Sequence, residues 1–492
     1  MSAPLPSDRT AGPRSTGLPA REAQQQRSDG RRDGAVEDAV GWVDERLGAA
    51  RAMRWLMDYV FPDHWSFLLG EIALYSFLVL ILSGTFLALF FDPSTTQTVY
   101  HGGYAPLQSQ SVSHAYSSAL NLSFNVSGGL LMRQTHHWAA LVFVAAITLH
   151  LLRIVFTGAY RKPRDINYFI GLTLLVLAIL EGFAGYSLPD DLLSGMGLAI
   201  AWAVAMSLPV IGGPFAFALW GGRFPGASTF ESRLYIAHVF IIPALLAVLI
   251  AAHLTIIMIQ RHSQFPGPGR REDNVVGTPM WPGYALRSLG LFMALAAVLV
   301  LMGGLIQINP IWLWGPYHPY VGTNGAQPDW YLGWLIGALR LMPNLEISVF
   351  GHTLVPNPFF GGVLFPGIVF TGLYALPWLD RRFISRERAR HDLLQRPRDN
   401  PRRSALAAAV FSAVAVVFAA GSADRLFFQF GFAYEGAIWF FRGAFLIAPV
   451  LVYVFTKRVC VRLARERAHP LRSWSGQVVV RNERGGFESG RS

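Results

Sequence analysis

Four histidines stand at matched spacing inside two long apolar segments of the chain. His136 and His150 are 14 residues apart, and His238 and His253 are 15 residues apart. On an ideal helix, 14 residues return a side chain to within about 40° of the same face, about 21 Å further along the axis. Ionisable groups in apolar helices are costly and are therefore functional candidates. The spacing predicts two stacked bis-histidine sites, which suit an iron that carries electrons and has no open position.

The spacing of the second histidine pair and a neighbouring histidine leave alternatives to this ligation. On an ideal helix, the 15-residue spacing places His253 about 60° round the axis from the face of His238. A kink at Pro243 can absorb the extra residue. His137 is 13 residues from His150 and should point elsewhere, about 140° round the helix. A single histidine would more simply be a hydrogen-bonded polar residue between helices, but four at matched spacing favour metal ligands.

Pairs of glycines repeat the same spacing in two neighbouring apolar segments. A planar macrocycle between helices needs backbone without Cβ at its edges, so these pairs favour a haem, although small-residue helix packing is the alternative. The chain has no C-x-x-C-H motif and only one cysteine, so any haem is bound without covalent attachment. The predicted haem-packing positions, 14 residues apart within each pair, are Gly70 and Gly84, and Gly171 and Gly185.

Two arginines flank the first histidine pair in sequence. Arg133 lies three residues before His136, and Arg153 lies three residues after His150. Each is one helical turn towards the nearer membrane face, where a haem propionate could accept charge-assisted hydrogen bonds. The competing interpretation is an interfacial arginine that extends its charge into the headgroup region.

The elements that position these residues are predicted to be membrane-spanning helices. Hydrophobic residues make up 52% of the chain and charged residues only 14%, well below the roughly 25% charged that is usual for soluble domains. Eight apolar runs are close to the roughly 20 residues that cross a bilayer. They cover residues 67–91, 135–156, 168–188, 234–259, 286–308, 359–379, 404–421 and 436–455. We therefore predict an all-α membrane protein with eight transmembrane helices, the first four of which form a di-haem bundle.

Arginine and lysine are concentrated in alternate loops. The second loop contains Arg161-Lys162-Pro163-Arg164, the fourth contains three arginines, and the sixth, residues 380–403, holds nine arginines against four acids. Cytoplasmic loops carry such an excess, so both termini of this multi-pass membrane protein are predicted to be cytoplasmic. The net charge of +11 is thereby explained by topology, and we expect no nucleic-acid partner.

Three motifs carry a resemblance to a known family. The stretch Arg133-x-x-His136 to His150-x-x-Arg153, followed by Gly158-Ala159-Tyr160, resembles the second helix of cytochrome b in quinol–cytochrome c reductases. Gly185-Tyr186-x-Leu188-Pro189 resembles the end of its third helix, and Pro328-Asp329-Trp330-Tyr331 resembles the Pro-Glu-Trp-Tyr motif of its quinol-oxidation pocket. The resemblance extends from about residue 55 to 458 and is strongest to the actinobacterial form.

The resemblance implies ligands and a mechanism. His136 and His238 would hold an outer low-potential haem, and His150 and His253 an inner high-potential haem. A quinol bound near Pro328, Asp329, Trp330 and Tyr331 would send one electron to a Rieske iron–sulfur protein and the other through the two b-type haems to an inner quinone site. Asp329 is the candidate proton acceptor of the quinol hydroxyl.

The sequence also departs from the family pattern. Asp329 replaces the usual Glu, which shortens the side chain by one methylene. Glu181 is an acid at membrane depth, predicted either as a proton relay in the quinol-oxidation site or as the buried partner of a donor; we favour the relay. At the inner quinone site, Met258 stands where many members have a histidine, and Arg261 and His262 are the nearest substitutes.

Partners and domains follow from the resemblance and the charge pattern. The actinobacterial form implies menaquinol as donor, a Rieske subunit, a di-haem cytochrome c subunit, a homodimer and a supercomplex with a terminal oxidase, all in the lipid of the bacterial plasma membrane. We predict a basic cytoplasmic extension (1–64), a di-haem core (65–260), a cytoplasmic loop (261–285), a four-span region with the quinol-site loop (286–458) and a cytoplasmic tail (459–492).

Two other classes of membrane protein also place histidines in apolar helices. The smaller cytochrome b anchor of a membrane dehydrogenase or hydrogenase usually has four or five spans and lacks the Pro-Asp-Trp-Tyr loop. A transporter with proton-relaying histidines would tend to show internal repeats and broken helices at the midplane, whereas the polar residues here repeat at two depths.

Overall fold

The prediction of eight membrane-spanning helices is confirmed in the part of the chain that the computed structural model describes. It describes residues 41–42, 44–46, 48–321, 327–468, 478–481 and 487–490. The predicted N-terminal extension falls largely outside these residues, as does much of the predicted tail. The spans are Trp65–Ala88, Gly129–Thr157, Asp165–Tyr186, Phe230–Gln260, Met280–Leu305, Phe360–Ile384, Pro401–Ala420 and Tyr434–Arg465.

Several spans are longer than their apolar runs. The second begins at Gly129, so that Arg133 lies inside the helix, and the last helix continues to Ala468. Arginine, leucine and alanine are good helix formers, so charge alone does not end the last helix. The predicted domain boundary at 458/459 falls inside it. Gly158 ends the second span with a left-handed φ of 64°, a conformation that favours glycine.

The fourth span contains a local irregularity at the first of its two histidines. An α-helical segment, Phe230–Ile236, is followed by a π-helical turn, Ala237–Ile241, and then by the α-helix Ile242–Gln260. A π-helical turn takes up one residue more than an α-helical turn because its hydrogen bonds run from i to i+5. The extra residue between His238 and His253 is thus absorbed in this turn, immediately before Pro243.

Short helices and hairpins connect the spans. In the described part of the chain every sheet has two strands, and three of the pairings are antiparallel: Gln97–Val99 with Ser111–Ser113, Ile347–Val349 with His352–Val355, and Val478–Arg481 with Phe487–Gly490. The strands are β1 Val60–Phe61, β2 Gln97–Val99, β3 Ser111–Ser113, β4 Thr278–Pro279, β5 Ile347–Val349, β6 His352–Val355, β7 Val478–Arg481 and β8 Phe487–Gly490. The connecting helices are Ala49–Met57, His114–Phe124, Leu192–Met206, Gly212–Trp220, Ile311–Trp314, Gly333–Leu341 and Ala423–Phe430, with 3-10 turns at Trp65–Phe67, Ala105–Leu107, Trp330–Leu332 and Pro397–Asp399. Further π-helical turns lie at Met280–Tyr284, Phe360–Leu364 and Asp380–Ile384.

The chain divides into two units. The smaller contains residues 1–60 and Pro279–Ala285, and the larger contains Phe61–Thr278 and Leu286–Ser492. Within the larger unit the first span packs along the second, and the third packs along the fourth. Phe143 and Leu172, from the second and third spans, belong to one buried core that also includes Tyr331. This packing brings the predicted histidine and glycine positions into one bundle.

Candidate functional site

The first histidine pair, His136 and His238, lies between the second and fourth spans. The two ring centres are 6.2 Å apart, and the ring planes meet at 82°. An imidazole nitrogen binds a transition metal at about 2 Å, so a metal held between two imidazoles places their ring centres roughly 6 Å apart. The separation of this pair therefore fits a shared metal ion.

Hydrogen bonds at Nδ1 fix the tautomer of both rings. His238 Nδ1 lies 3.3 Å from the carbonyl oxygen of Glu181, which can only accept, and 2.9 Å from Glu181 Oε1. His136 Nδ1 lies 3.0 Å from Ser83 Oγ, whose own proton is donated to the Val79 carbonyl at 2.7 Å. Both histidines therefore carry the proton on Nδ1, which leaves the Nε2 lone pair of each ring free to bind a metal.

The second histidine pair, His150 and His253, lies further along the same two spans. The two side chains are close enough for their charges to interact. Nδ1 of each is buried and meets no hydrogen-bond partner in the described part of the chain; that of His253 approaches the Asn167 carbonyl without reaching hydrogen-bond geometry. The two pairs thus differ in the groups that hold their rings.

Each of the four predicted glycines faces one of the four histidines. A Cβ added to Gly84 would lie 3.1 Å from His136 Cε1, and one added to Gly185 would lie 2.5 Å from His238 Cε1. At the second pair, a Cβ on Gly70 would lie 3.4 Å from His150 Cε1 and one on Gly171 would lie 3.3 Å from His253 Cε1. The glycines of the first and third spans leave room for the imidazole rings and for a flat group beside them.

Both predicted arginines have guanidinium nitrogens without a partner. Arg133 donates to Ser123 Oγ at 3.2 Å and to the Asn309 carbonyl at 3.0 Å, while its buried Nη2 meets no partner in the described residues. Nε and Nη2 of Arg153 are likewise buried and unpartnered, and its guanidinium lies over the ring of Phe67 at 4.4 Å. Buried cationic donors without an acceptor fit an anionic group such as a haem propionate.

The donor set, the glycines and these free guanidinium nitrogens together fit a haem better than a metal ion alone. No cluster of three or more His, Cys, Asp or Glu side chains that could hold a metal occurs among the described residues. Two histidines per site leave the remaining ligands to be supplied by the macrocycle. The residues present therefore fit bis-histidine haem ligation.

Pro328-Asp329-Trp330-Tyr331 places a carboxylate between two side chains. Asp329 Oδ1 lies 2.7 Å from His137 Nε2, and Asp329 Oδ2 accepts from the Tyr331 hydroxyl at 3.1 Å. The Tyr331 side chain is buried, contacts Gly182 of the third span, and has a raised pKa because of its burial. His137 and Tyr331 thus hold a carboxylate close to the first histidine pair, beside Glu181 and Gly182.

A second acidic group lies in the connection after the third span. Asp191 is fully buried, and its Oδ1 accepts from the Ser194 backbone N–H at 3.0 Å to cap the helix Leu192–Met206. Burial raises the pKa of Asp191 to about 6, and the pKa of the neighbouring Asp190 is also raised to about 6 by burial. Protonation of this connection therefore changes between about pH 5 and 7.

Arg261 and His262, the residues predicted for the inner quinone site, line one cavity. It has a volume of 460 Å³ and is also bordered by Gln260, Asn274 and Asp392. The His262 ring packs against Phe61 with ring centres 4.9 Å apart. Burial lowers the pKa of His262 to about 4, and the nearby Arg164 and Arg153 act in the same direction. His262 is therefore neutral at pH 7.

Comparison with known proteins identifies the family. The sequence profile of "Cytochrome b(N-terminal)/b6/petB" matches residues 141–316. The cytochrome bc1 complex cytochrome b subunit of Mycobacterium bovis is 48% identical, over 86% of this chain and 76% of its own length. Those of Streptomyces coelicolor and Corynebacterium efficiens are 43% and 45% identical, over 88% and 86% of this chain and 78% and 77% of their own lengths. This chain belongs to the family of cytochrome b subunits of the cytochrome bc1 complex.

The resemblance predicted from the motifs, including its actinobacterial character, is thereby confirmed. A solved structure described as a hyperthermophilic respiratory Complex III has the same fold, with a TM-score of 0.63 and 21% identity over 87% of this chain and all of the matched chain. Membership of the cytochrome b family makes this chain a catalytic membrane subunit of a quinol–cytochrome c oxidoreductase in the bacterial plasma membrane. It also implies b-type haem as cofactor.

Sequence analysis missed two contacts of this cytochrome b site. The contact between Ser83 and His136 was not predicted. Ser83 directly precedes Gly84, whose 14-residue spacing from Gly70 had already marked this part of the first span, and Gly84 faces the same histidine. His137 was expected to point away from the haem ligands, but its contact with Asp329 was not predicted. Two features of the sequence pointed to the His137 contact. His137 lies on the opposite face of the helix from the predicted ligands, and the Pro-Asp-Trp-Tyr motif contains a carboxylate that needs a hydrogen-bond partner.

Proposed function

We propose that this cytochrome b binds two b-type haems, one between His136 and His238 and one between His150 and His253, and oxidises quinol at Asp329. The observation that carries the proposal is the 6.2 Å separation of the His136 and His238 rings, with both Nδ1 atoms occupied by hydrogen bonds. When bound, such a haem supplies one-electron transfer without an open coordination position. Arg133 and Arg153 would hold the propionates through their unpartnered nitrogens.

Quinol oxidation requires a base within hydrogen-bond reach of the substrate hydroxyl. The Asp329 carboxylate accepts that proton in this proposal, while His137 and Tyr331 hold it in place at 2.7 and 3.1 Å. With a haem bound between His136 and His238, the quinol would give one electron to a Rieske iron–sulfur protein and the other to this haem site. Loss of both electrons and both protons, the first proton to Asp329 and the second to the outside solvent, would leave the oxidised quinone.

The second electron would pass to a quinone at the other face; two such electrons, from two quinol oxidations, would together with two protons reduce that quinone to quinol. Arg261 and His262 border the 460 Å³ cavity there, where the quinone would take up protons. With both termini cytoplasmic, as the basic loops favour, the Asp329 end of the bundle faces outwards and the cavity faces the cytoplasm. Protons are then released outside and consumed inside, which generates a protonmotive force.

The partners proposed are a Rieske subunit, a di-haem cytochrome c subunit and a second copy of this chain. The proposal also includes menaquinol as donor and a supercomplex with a terminal oxidase, on the basis of the likeness to actinobacterial relatives. Affinity purification in mild detergent, followed by mass spectrometry and quinone extraction, should recover these subunits and menaquinone. Purification with ubiquinone alone, or without an iron–sulfur subunit, would contradict this part.

The test of the two-haem proposal is a redox-poised visible spectrum with haem quantified per polypeptide. The wild type should contain two b-type haems with separable midpoints, and His150→Ala should lose one of them. His137→Ala is the matched control, because it removes a neighbouring histidine that contacts Asp329 and should leave both haems in place. A folded wild-type chain without haem would make a proton-relaying transporter the leading alternative.

A further inference from the structure

The four histidines differ in the charge of the group at Nδ1. Of these four histidines, only His238 has a carboxylate partner among the described residues, with Glu181 Oε1 at 2.9 Å. His136 meets the neutral hydroxyl of Ser83, and the Nδ1 atoms of His150 and His253 meet no hydrogen-bond partner within the described ranges of the chain. A negative group therefore contacts one ligand of the first pair and neither ligand of the second.

The third span holds the His238 ring from two sides. Glu181 contributes its carbonyl and carboxylate to Nδ1, and Gly185, one turn later, faces Cε1 and Nε2 of the same ring. Side-chain exposure is only 16% for both Glu181 and His238, so the contact lies in the low-dielectric interior of the bundle. Electrostatic effects are stronger in such surroundings than in water.

A carboxylate that accepts from the Nδ1–H of a ligating histidine orients the ring and raises its basicity as a ligand. A more basic ligand stabilises the more positively charged, oxidised state of the metal, and this lowers the reduction potential. A hydroxyl partner has a smaller effect because it carries no charge. The environment of His238 is therefore the one that most favours the oxidised iron.

We propose that Glu181 is a positioning residue that lowers the reduction potential of the haem at His136 and His238 below that of the haem at His150 and His253. The inference rests on the proposed two-haem function. It explains the direction of electron transfer between the two sites from groups within this chain. With both haems bound, an electron at the first site would find a site of higher potential at His150 and His253.

The test is a spectroelectrochemical titration at fixed pH of the purified chain with its haems, for wild type and Glu181→Gln. Glutamine keeps the shape and an oxygen that can accept the Nδ1 hydrogen bond, but it removes the charge. We expect both haems to be retained, the midpoint of the first to rise and the midpoint of the second to stay unchanged. Ser83→Ala is the matched control at His136 and should shift the same midpoint by less.

Equal shifts of both midpoints, or an unchanged first midpoint with two haems bound, would overturn the inference. Wild-type protein without two haems would instead overturn the proposed function, so the two failures are distinguishable. If Glu181→Gln loses the first haem, the titration is repeated with Glu181→Asp, which keeps the carboxylate. Retention of that haem at low potential in Glu181→Asp supports the inference, and its loss there overturns it.

Discussion

Gly185→Ala should weaken the haem at His136 and His238 far more than Gly70→Ala weakens the haem at His150 and His253. The new Cβ would lie 2.5 Å from His238 Cε1 and 3.0 Å from Nε2 in the first case, but 3.4 Å from His150 Cε1 in the second. Ordinary van der Waals contacts between carbon atoms begin at about 3.5 Å. The His238 ring must therefore retreat by roughly 1 Å, whereas His150 can stay in place.

The size of the effect follows from the cost of overpacking. Inserting a methyl group into a packed site costs about 1–3 kcal/mol, and every 1.4 kcal/mol corresponds to about a tenfold change in affinity. Gly185→Ala should therefore weaken binding of the first haem by about 5- to 150-fold. Gly84→Ala and Gly171→Ala, with contacts of 3.1 and 3.3 Å, should fall between the two extremes in that order.

The assay is haem per polypeptide, with the reduced-minus-oxidised spectrum resolved by redox titration into its two components. Gly185→Ala should lose the component of the first haem site, and Gly70→Ala should retain both. Equal losses in the two variants, or two normal components in Gly185→Ala, would refute the assignment of these glycines to separate haem sites.

Three further outcomes are expected. His137→Phe removes the 2.7 Å hydrogen bond to Asp329. Hydrogen bonds to charged groups contribute about 1.5–3 kcal/mol. Quinol–cytochrome c reductase turnover should therefore fall about 10- to 150-fold, with both haems retained. Because burial raises the pKa of Asp191 from 3.8 to about 6, the native chain binds this proton more tightly than the unfolded chain and loses stability as the pH rises through that window. Asp191→Asn should therefore stabilise the chain by about 3 kcal/mol at pH 8 and not at pH 3, as measured by thermal unfolding in detergent. Arg153→Met should lower retention of the second haem during size-exclusion chromatography, since it removes two buried donors without partners, and it should spare the first haem.

The spans could be predicted because a membrane imposes one rule, about 20 apolar residues in succession. Their ends were less predictable, since a helix does not have to stop where its apolar run stops. The last helix passes through Lys457 and Arg458 to Ala468, and the sequence carries no glycine or proline there to end it. The π-helical turn at Ala237–Ile241 could not be predicted either. The sequence showed only that the second histidine pair is one residue further apart than the first.

The ligand positions were predictable because they depend on spacing within single helices. The partners of those ligands depend on packing between distant segments, which a single sequence does not contain. Asp329 and His137 are 192 positions apart, and Glu181 and His238 are 57 apart. Sequence analysis favoured Glu181 as a relay over a buried hydrogen-bond partner; the structure gives it a partner in His238, while its Oε2 meets none in the described residues.

The π-helical turn in the fourth span leads to one more prediction. With one residue absorbed at Ala237–Ile241, the 15 residues between His238 and His253 act as 14 α-helical residues, which match the spacing of His136 and His150. Deletion of Phe240 should convert the turn to a regular α-helix, leave both histidines on one face and retain both haems. Deletion of Val248, which is equally exposed at 67% but lies in the regular helix, should rotate the two histidines apart by about 100° and cost one haem. Haem content that is reduced equally by the two deletions would mean that the π-helical turn does not set the register.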